Sequence, residues 1–155
     1  MPYQIAIDGP AGSGKSTVAR RLARELGMIY LDTGALYRAV ALAALRRGVN
    51  PADAEAVADI SAGLRLEFRP GKDGEPDRVF CDGEDVTEAI RLPEVSRAVS
   101  SAAAHAAVRE NLTARMRRIA AAQPVVMDGR DIATHVLPAA NLKIFLTAAP
   151  EERAR

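Results

Sequence analysis

The sequence predicts an α/β fold: a mostly parallel sheet with helices on both faces, and a small antiparallel β insertion. Short apolar runs alternate with longer helical segments along most of the 155 residues, which is typical of a parallel sheet covered by helices. Near the middle, two strand-like runs are joined by a turn rich in Gly and Pro, which is typical of a hairpin. Hydrophobic residues make up 48% of the chain and charged residues 26%, as expected for a globular domain with a hydrophobic core.

The first part of the chain predicts two strands and three helices. Each strand is a short apolar run, and the first helix carries its apolar residues on one face. Gly27 follows that helix, where glycine readily forms a left-handed cap. The second helix is apolar on nearly every side, so we expect it to be buried. Asn50 is expected to cap a third, short helix that has Pro51 at its first position. The predicted strands are 4–8 and 28–31, and the two longer helices are 15–26 and 34–47.

The second part predicts the insertion and then the remainder of the sheet. The insertion is a hairpin, followed by a turn at Asp82-Gly83 and by a long helical pattern that is interrupted near His105. The expected segments are strands 64–68 and 78–81, helix 93–122, strands 124–128 and 141–146, and a last helix opened by Pro150 with Glu151 and Glu152 in its first turn. We therefore predict a core domain of residues 1–60 and 92–155 and an insertion of residues 61–91.

Charge and cysteine content limit the classes of function. Lys and Arg number 21 and Asp and Glu 20, which gives a formal net charge of +1 and no reason to expect a nucleic-acid or membrane surface. The single cysteine, Cys81, cannot form an intrachain disulfide, which fits a reducing compartment. The N-terminal segment reaches Asp8 and Gly9 too early to hold a signal-peptide core. We expect a cytoplasmic location.

The clearest motif is Gly-Pro-Ala-Gly-Ser-Gly-Lys-Ser at residues 9–16, which matches the phosphate-binding P-loop pattern G-x-x-x-x-G-K-[ST]. An apolar strand precedes it and an amphipathic helix follows it, as the motif requires. Backbone amides of the loop can point at phosphate oxygens, Lys15 can reach the β and γ phosphates, and Ser16 can ligate Mg²⁺. Thr17 is either an ordinary first-turn residue or a contact to the α-phosphate. The predicted ATP phosphate-binding residues are Gly9, Pro10, Ala11, Gly12, Ser13, Gly14, Lys15, Ser16 and Thr17.

An acidic residue at the end of a later predicted strand helps to distinguish a kinase from other P-loop proteins. The apolar run 125–127 ends in Asp128, which could hold Mg²⁺ directly or through water. Arg130 follows closely and could stabilise a transferring phosphoryl group. The sequence contains no Asn-Lys-x-Asp guanine reader of the usual GTPase kind. These residues favour a P-loop NTPase-type kinase over a switch GTPase.

Several blocks of sequence together resemble one family. They include Ile-Asp-Gly-Pro at 7–10, Leu-Asp-Thr-Gly-Ala-Leu-Tyr-Arg at 31–38 and Asp-Gly-Arg-Asp at 128–131. Further blocks lie at 82–87, 90–91, 95–100, 108–109, 143–146 and 151–154. In this order along the whole chain they resemble bacterial-type cytidylate kinases, which transfer the γ-phosphoryl group of ATP to CMP or dCMP.

The resemblance implies a role for each matching residue. Arg38 and Arg130 would hold the acceptor phosphate and, with Lys15, act in catalysis. Thr33 would line the acceptor pocket, and Ser100, Arg109 and Asp131 would recognise cytosine. A carboxylate, an arginine and a hydroxyl suit the amino donor and the acceptors of that base. The resemblance also implies ATP with Mg²⁺ as the phosphoryl donor, and a monomer for the full-length family.

Other interpretations of single residues stay open at this point. Arg38 could merely extend to solvent from a buried helix. Ser101 competes with its neighbour Ser100, and Asp131 could cap a helix instead of reading a base. Asp8 could serve only to order the loop. His105 and His135 have no second ligand at metal spacing and are expected to be packing or surface residues.

The resemblance also predicts a departure from the family. The chain stops at Arg155, whereas the family continues into a lid segment with further arginines and then more core. We therefore expect a truncated form or a fragment that lacks the lid, binds ATP and has weak or absent turnover. Apolar surface is expected to be exposed where the missing core would pack, and it could promote association of the truncated chain. The alternatives are another small-molecule P-loop kinase, acting on dTMP, shikimate or dephospho-coenzyme A, and a non-catalytic nucleotide-binding module.

Overall fold

A computed structural model describes residues 1–72, 75 and 77–147. The described strands, in chain order, are β1 (Gln4–Asp8), β2 (Ile29–Asp32), β3 (Leu66–Arg69), β4 (Arg78–Cys81), β5 (Glu84–Asp85), β6 (Val125–Gly129) and β7 (Leu142–Phe145). The described α-helices are α1 (Lys15–Leu26), α2 (Thr33–Arg46), α3 (Ala54–Gly63), α4 (Pro93–Ala103) and α5 (Ala106–Ala122). A 3₁₀ turn, Ala89–Arg91, and a single π-helical turn, Ile132–Val136, complete the regular structure.

The chain forms two compact units. The first consists of Met1–Thr33 together with Met116–Arg155, and the second of Gly34–Arg115. The first unit contains a four-stranded sheet and the second a three-stranded one. The predicted fold class, a parallel sheet flanked by helices with a small antiparallel sheet, is confirmed. The predicted domain boundaries near residues 61 and 91 stay a prediction.

The sheet of the first unit is parallel throughout and has the order β2-β6-β1-β7. Every residue of β1 is buried, as expected for a central strand in a parallel sheet. In the register between neighbouring strands, Asp8 lies opposite Gly129 and Asp32 lies opposite Asp128. The carboxyl ends of three strands therefore meet at one edge, which is where open parallel sheets bind ligands.

Helix α1 packs on this sheet and supplies two of the five residues of a small buried core. Ile5, Ile7 and Val126 of the strands form a buried cluster with two alanines of α1, Ala19 and Ala23. The helix ends at Gly27, whose φ of 65° is left-handed and therefore favours glycine. The predicted bounds of α1 and its glycine cap are confirmed.

The second unit combines the antiparallel sheet with helices. Strand β4 pairs with β3 on one side and with β5 on the other. Helix α2 is buried along most of its length, with Leu36, Ala39 and Val40 at 1% exposure or less, as its apolar composition predicts. The interruption expected near His105 is confirmed, because α4 ends at Ala103 and α5 begins at Ala106.

Some predicted element ends were wrong. Helix α3 begins at Ala54 and is capped by Asp53, whose carboxylate accepts from the Ala56 amide. Asn50 instead accepts a hydrogen bond from the Ala52 amide in the preceding turn, so Pro51 is not the first helical residue. The two-residue strand β5 was not predicted at all. The helix expected to open at Pro150 lies outside the described residues.

None of the helices in the described part of the chain combines the length and the apolar character that crossing a bilayer requires.

Candidate functional site

The loop after β1 has the backbone that its glycines predict. Gly12 and Gly14 have φ values of 77° and 84°, in the left-handed region that other residues rarely adopt. Gly14 occupies the N-cap position of α1, where no side chain caps the helix, and the first turn contains no acidic residue. The amides of that turn and the positive end of the helix dipole are thus left for an anion.

Close packing fixes the loop against the neighbouring strand ends. The Gly9 amide donates to the Gly129 carbonyl oxygen at 3.2 Å. A Cβ atom on Gly9 would collide with the backbone oxygen of Leu146. A Cβ atom on Gly129 would lie 2.6 Å from Thr33 Oγ1 and 2.9 Å from Ile132 Cδ1. Both positions therefore require glycine for steric reasons, since real Cβ contacts are longer.

Asp128 is the centre of a buried hydrogen-bond cluster at this edge. It is 1% exposed, and its Oδ2 accepts from Ser16 Oγ at 2.7 Å. Its Oδ1 accepts from Tyr30 Oη at 3.0 Å. Thr33 Oγ1 donates to the Asp128 backbone oxygen at 2.8 Å. The P-loop hydroxyl and the acidic strand end, which are 112 positions apart in sequence, thus meet in one place.

The electrostatics of this cluster favour a cation. Burial, followed by the charge of Asp32, raises the pKa of Asp128, and the Ser16 hydrogen bond and the Lys15 charge lower it in part. Burial and the same two carboxylates raise the pKa of Tyr30, so its hydroxyl remains a neutral donor. A carboxylate held in a desolvated place is stabilised by an added positive charge.

Asp8 organises the other side of the edge. Its Oδ1 accepts from the Ile132 amide and its Oδ2 from the Ala133 amide, both at 2.8 Å. These are the first two amides of the π-helical turn. Asp131 occupies the N-cap position of this turn, but its side chain makes no capping bond. Arg130 and Asp131 are exposed.

The remaining predicted acceptor residues lie in the second unit. Arg38 is half-buried in α2, and its Nη1 donates to the Ile90 carbonyl oxygen at 3.1 Å and to Ser96 Oγ at 2.9 Å. It is therefore held in place and does not merely extend to solvent. Ser100 and Arg109 are exposed on α4 and α5. Within the part of the chain that the structure describes, no hydrogen bond or ion pair links these two side chains to Arg38.

The residues at the loop fit a phosphate and a hard cation. Ser13 Oγ is a buried atom without a hydrogen-bond partner among the described residues, and a phosphate oxygen is a suitable acceptor for it. Ser16 and Asp128 offer the oxygen ligands that Mg²⁺ prefers. The described residues contain no cluster of three or more His, Cys, Asp or Glu that could hold a metal ion. Mg²⁺ in nucleotide sites usually takes one or two carboxylates together with substrate phosphates.

Sequence reasoning missed two contacts of this region. The Tyr30 hydroxyl was not predicted as a contact, although its strand ends in Asp32 and runs parallel to the strand that carries Asp128. Ser96 was not singled out as a partner of Arg38, since nothing local in the sequence pairs positions 58 apart. The sequence predicts that Asp8 could order the loop, but not that its partners are the amides of Ile132 and Ala133.

Strand, glycine-rich loop, helix and a neighbouring acidic strand end together define a P-loop nucleotide-binding fold. Comparison with known proteins narrows this class. The family model described as cytidylate kinase matches residues 5–155, so the chain belongs to the cytidylate kinase family.

Individual relatives agree with this assignment. A cytidylate kinase of Pelotomaculum thermopropionicum is 58% identical over 151 residues, which cover 97% of this chain and 66% of the relative. A cytidylate kinase of Desulfitobacterium hafniense is 56% identical over 154 residues, which cover 98% of this chain and 64% of the relative. A bifunctional pantoate ligase/cytidylate kinase of Gloeobacter violaceus is 52% identical over 151 residues, which cover 97% of this chain and 29% of the relative. The chain thus spans just under two thirds of the length of the first two relatives.

Proposed function

We propose that this chain binds ATP with Mg²⁺ and binds CMP or dCMP, and that it transfers the γ-phosphoryl group of ATP to the acceptor phosphate. The observation that carries the proposal is the P-loop geometry: an uncapped helix start, left-handed glycines and a Ser16 hydroxyl 2.7 Å from the buried Asp128 carboxylate. Membership of the cytidylate kinase family supports the choice of acceptor.

On the donor side, the loop and the first turn of α1, residues 9–17, bind the phosphates through backbone amides of that turn and through the Lys15 ammonium. Ser13 Oγ gains an acceptor when a phosphate is present, since it has none among the described residues. Ser16 and Asp128 would hold Mg²⁺, directly or through water. The metal, when bound, neutralises charge on the β and γ phosphates.

On the acceptor side, the roles follow the family resemblance. Arg38 and Arg130 bind the acceptor phosphate, and Thr33 lines its pocket. Ser100, Arg109 and Asp131 read the cytosine edge. The two contacts that Arg38 Nη1 makes, with Ile90 and Ser96, support this part, because an arginine whose guanidinium is held in place is preorganised for a phosphate.

The reaction is an in-line displacement. An acceptor phosphate oxygen forms a bond to the γ-phosphorus as the bond from that phosphorus to the β-γ bridging oxygen breaks, which yields CDP or dCDP and ADP. No covalent intermediate on the protein is required. Lys15, Arg38 and Arg130 contribute by orienting the two nucleotides and by stabilising charge on the transferring group.

The test measures binding and turnover of the 155-residue chain separately. Calorimetry with ATP and Mg²⁺, and then with CMP, gives the two affinities, while chromatography detects CDP and ADP. Lys15→Ala should weaken ATP binding by at least tenfold, since it removes the ammonium that contacts the phosphates. Arg21→Ala is the matched control, because Arg21 is a cation on the same helix that pairs with Glu25 at 3.2 Å.

The outcomes separate the candidate functions. CMP-dependent formation of ADP with CDP supports the proposal, even at a low rate. Binding of ATP without binding of CMP contradicts it and favours a non-catalytic nucleotide module. Turnover with dTMP, shikimate or dephospho-coenzyme A in place of CMP contradicts the choice of acceptor.

A further inference from the structure

One buried carboxylate joins the start of the P-loop to the turn that follows Arg130 and Asp131. Asp8 is the last residue of β1 and directly precedes Gly9. Its two carboxylate oxygens accept from two successive amides, those of Ile132 and Ala133, each at 2.8 Å. These partners are 124 and 125 positions away in sequence. The contact is therefore a cross-link between distant segments and not a local turn.

Further along, the turn is also held by the buried side chains of Ile132 and Val136 and by Arg117, which donates to the carbonyl oxygens of His135 and Val136. Asp8 is 5% exposed, so its hydrogen bonds are shielded from water. Arg130 and Asp131 are exposed, and the Asp131 side chain makes no capping bond. The segment is anchored on one side by Gly129, through the Gly9 amide and close steric contacts. It is anchored on the other side by Asp8. Arg130 and Asp131 lie between these two anchors.

We propose that Asp8 is a positioning residue for the acceptor side of the reaction. Its carboxylate fixes the turn Ile132–Val136 and so sets the direction in which Arg130 and Asp131 project relative to the P-loop. Asp8 itself touches neither nucleotide. This inference rests on the proposed function of Arg130 and Asp131, and it adds a residue whose replacement changes CMP affinity without changing ATP affinity.

The variant Asp8→Asn isolates the effect. Asparagine has the size of aspartate, but its amide nitrogen is a donor and would face one of the two backbone donors. One of the two hydrogen bonds is lost, and the turn is released on that side. The residues of the P-loop and their glycines remain as they are.

Two measurements test the inference on the purified 155-residue chain. Hydrogen exchange should show faster exchange of the Ile132 and Ala133 amides in Asp8→Asn than in the parent chain. Calorimetry should show CMP affinity reduced by about tenfold or more, since a small misplacement of a binding group has a large effect. The affinity for ATP with Mg²⁺ should stay within about twofold, because the loop is unchanged.

Asp53→Ala is the matched control. Asp53 is also a capping carboxylate, which accepts from the Ala56 amide at 3.2 Å, but it caps α3 and has no proposed contact with a nucleotide. This variant should lower the unfolding temperature and leave the ratio of the two affinities unchanged. If Asp8→Asn does not fold, Asp8→Glu, which keeps the charge but displaces it by one methylene, takes its place with the same expectations.

The possible failures are distinguishable. If the parent chain binds no CMP, the proposed function fails, and the exchange measurement still tests the hold of Asp8 on the turn. Unchanged exchange at Ile132 and Ala133 overturns the inference. So does an equal loss of ATP and CMP affinity, which would make Asp8 a general support of the site.

Discussion

At the scale of single residues, the charge on the buried carboxylate of Asp128 lowers the stability of the fold. It is desolvated and lies near Asp32, and both effects raise its pKa. A carboxylic group with a raised pKa stabilises the fold at low pH. That contribution is lost as the pH rises from the ordinary value of 3.8 through the raised one. At neutral pH the carboxylate is therefore charged at a cost, which a bound cation would reduce.

Asp128→Asn tests this balance. Without ligand, the variant should be more stable than the parent chain at pH 7. The difference should shrink as the pH falls towards the ordinary pKa of aspartate, because the parent group then becomes neutral. The Ser16 and Tyr30 hydroxyls can turn to accept from the new amide group. Urea unfolding between pH 4 and pH 7 measures the effect. If the parent chain were more stable than Asp128→Asn at pH 7, the prediction would be wrong, and the charged Asp128 carboxylate would be well stabilised by its surroundings.

The same variant should bind ATP with Mg²⁺ about tenfold or more less tightly, since a ligand or its support is removed. Calorimetry with and without Mg²⁺ distinguishes the loss of a metal ligand from general damage to the loop. In the absence of Mg²⁺ the two chains should bind ATP with similar affinity. Equal Mg²⁺ dependence in both chains would remove Asp128 from the metal site.

Tyr30 offers a second test at this scale. Tyr30→Phe removes the donor to Asp128 Oδ1 and leaves a buried acceptor without its partner. We expect a loss of about 1–3 kcal/mol in the free energy of unfolding. Tyr3→Phe is the control, because Tyr3 is 48% exposed and should change stability by less than about 0.5 kcal/mol. Equal effects of the two substitutions would contradict the importance of the Tyr30 hydrogen bond.

At the scale of elements, the junction of β6 with the following turn depends on one glycine. Gly129 has an ordinary φ, so the requirement is steric and comes from Thr33 and Ile132. The Thr33 hydroxyl is fixed by its bond to the Asp128 backbone, and Ile132 is 1% exposed. Neither neighbour can move aside easily.

Gly129→Ala should therefore destabilise the chain by about 1–3 kcal/mol through overpacking. Gly63→Ala is the matched control, because an added Cβ there meets nothing within 4 Å and Gly63 ends α3. That substitution should be neutral or slightly stabilising, as alanine has the higher helix propensity. Thermal unfolding of both variants provides the comparison. A neutral effect of Gly129→Ala would mean that this strand end relaxes freely.

The sequence predicted elements with strong local signals and failed where a choice depended on distant partners. The bounds of β1 and α1 were predicted correctly, because an apolar run, a glycine-rich loop and an amphipathic helix succeed one another. Asn50 and Asp53 are both good helix caps, and only the folded chain selects Asp53. Strand β5 exists only through its pairing with β4. A two-residue strand has no pattern of its own.

The residues of the candidate site also fall into those with a local sequence signal and those that depend on distant partners. The P-loop residues could be predicted from their motif and its context. The Asp8 contacts, the Tyr30 hydrogen bond and the partners of Arg38 could not, since each joins residues that are 52 or more positions apart. The roles of Ser100, Arg109 and Asp131 come from the family resemblance and stay predictions.

At the scale of the whole molecule, charge balance governs solubility. Positive and negative side chains nearly cancel, and the isoelectric point from the sequence is about 7.9. Proteins associate most readily where their net charge is close to zero. We expect solubility to be lowest near pH 8 and to improve at pH 6, as light scattering at equal protein concentration would show. Constant scattering between these values would point to association through apolar surface instead.

The order of segments along the chain has a consequence for how the molecule acquires its structure during synthesis. The second unit is one continuous segment, Gly34–Arg115, and can begin to fold while the ribosome is still adding residues. The central strand β1 cannot, because its neighbours β6 and β7 are made much later and contacts between distant segments form slowly. The loop of residues 9–16, although it is translated before the second unit, therefore takes its final shape only after β6 and β7 have been made.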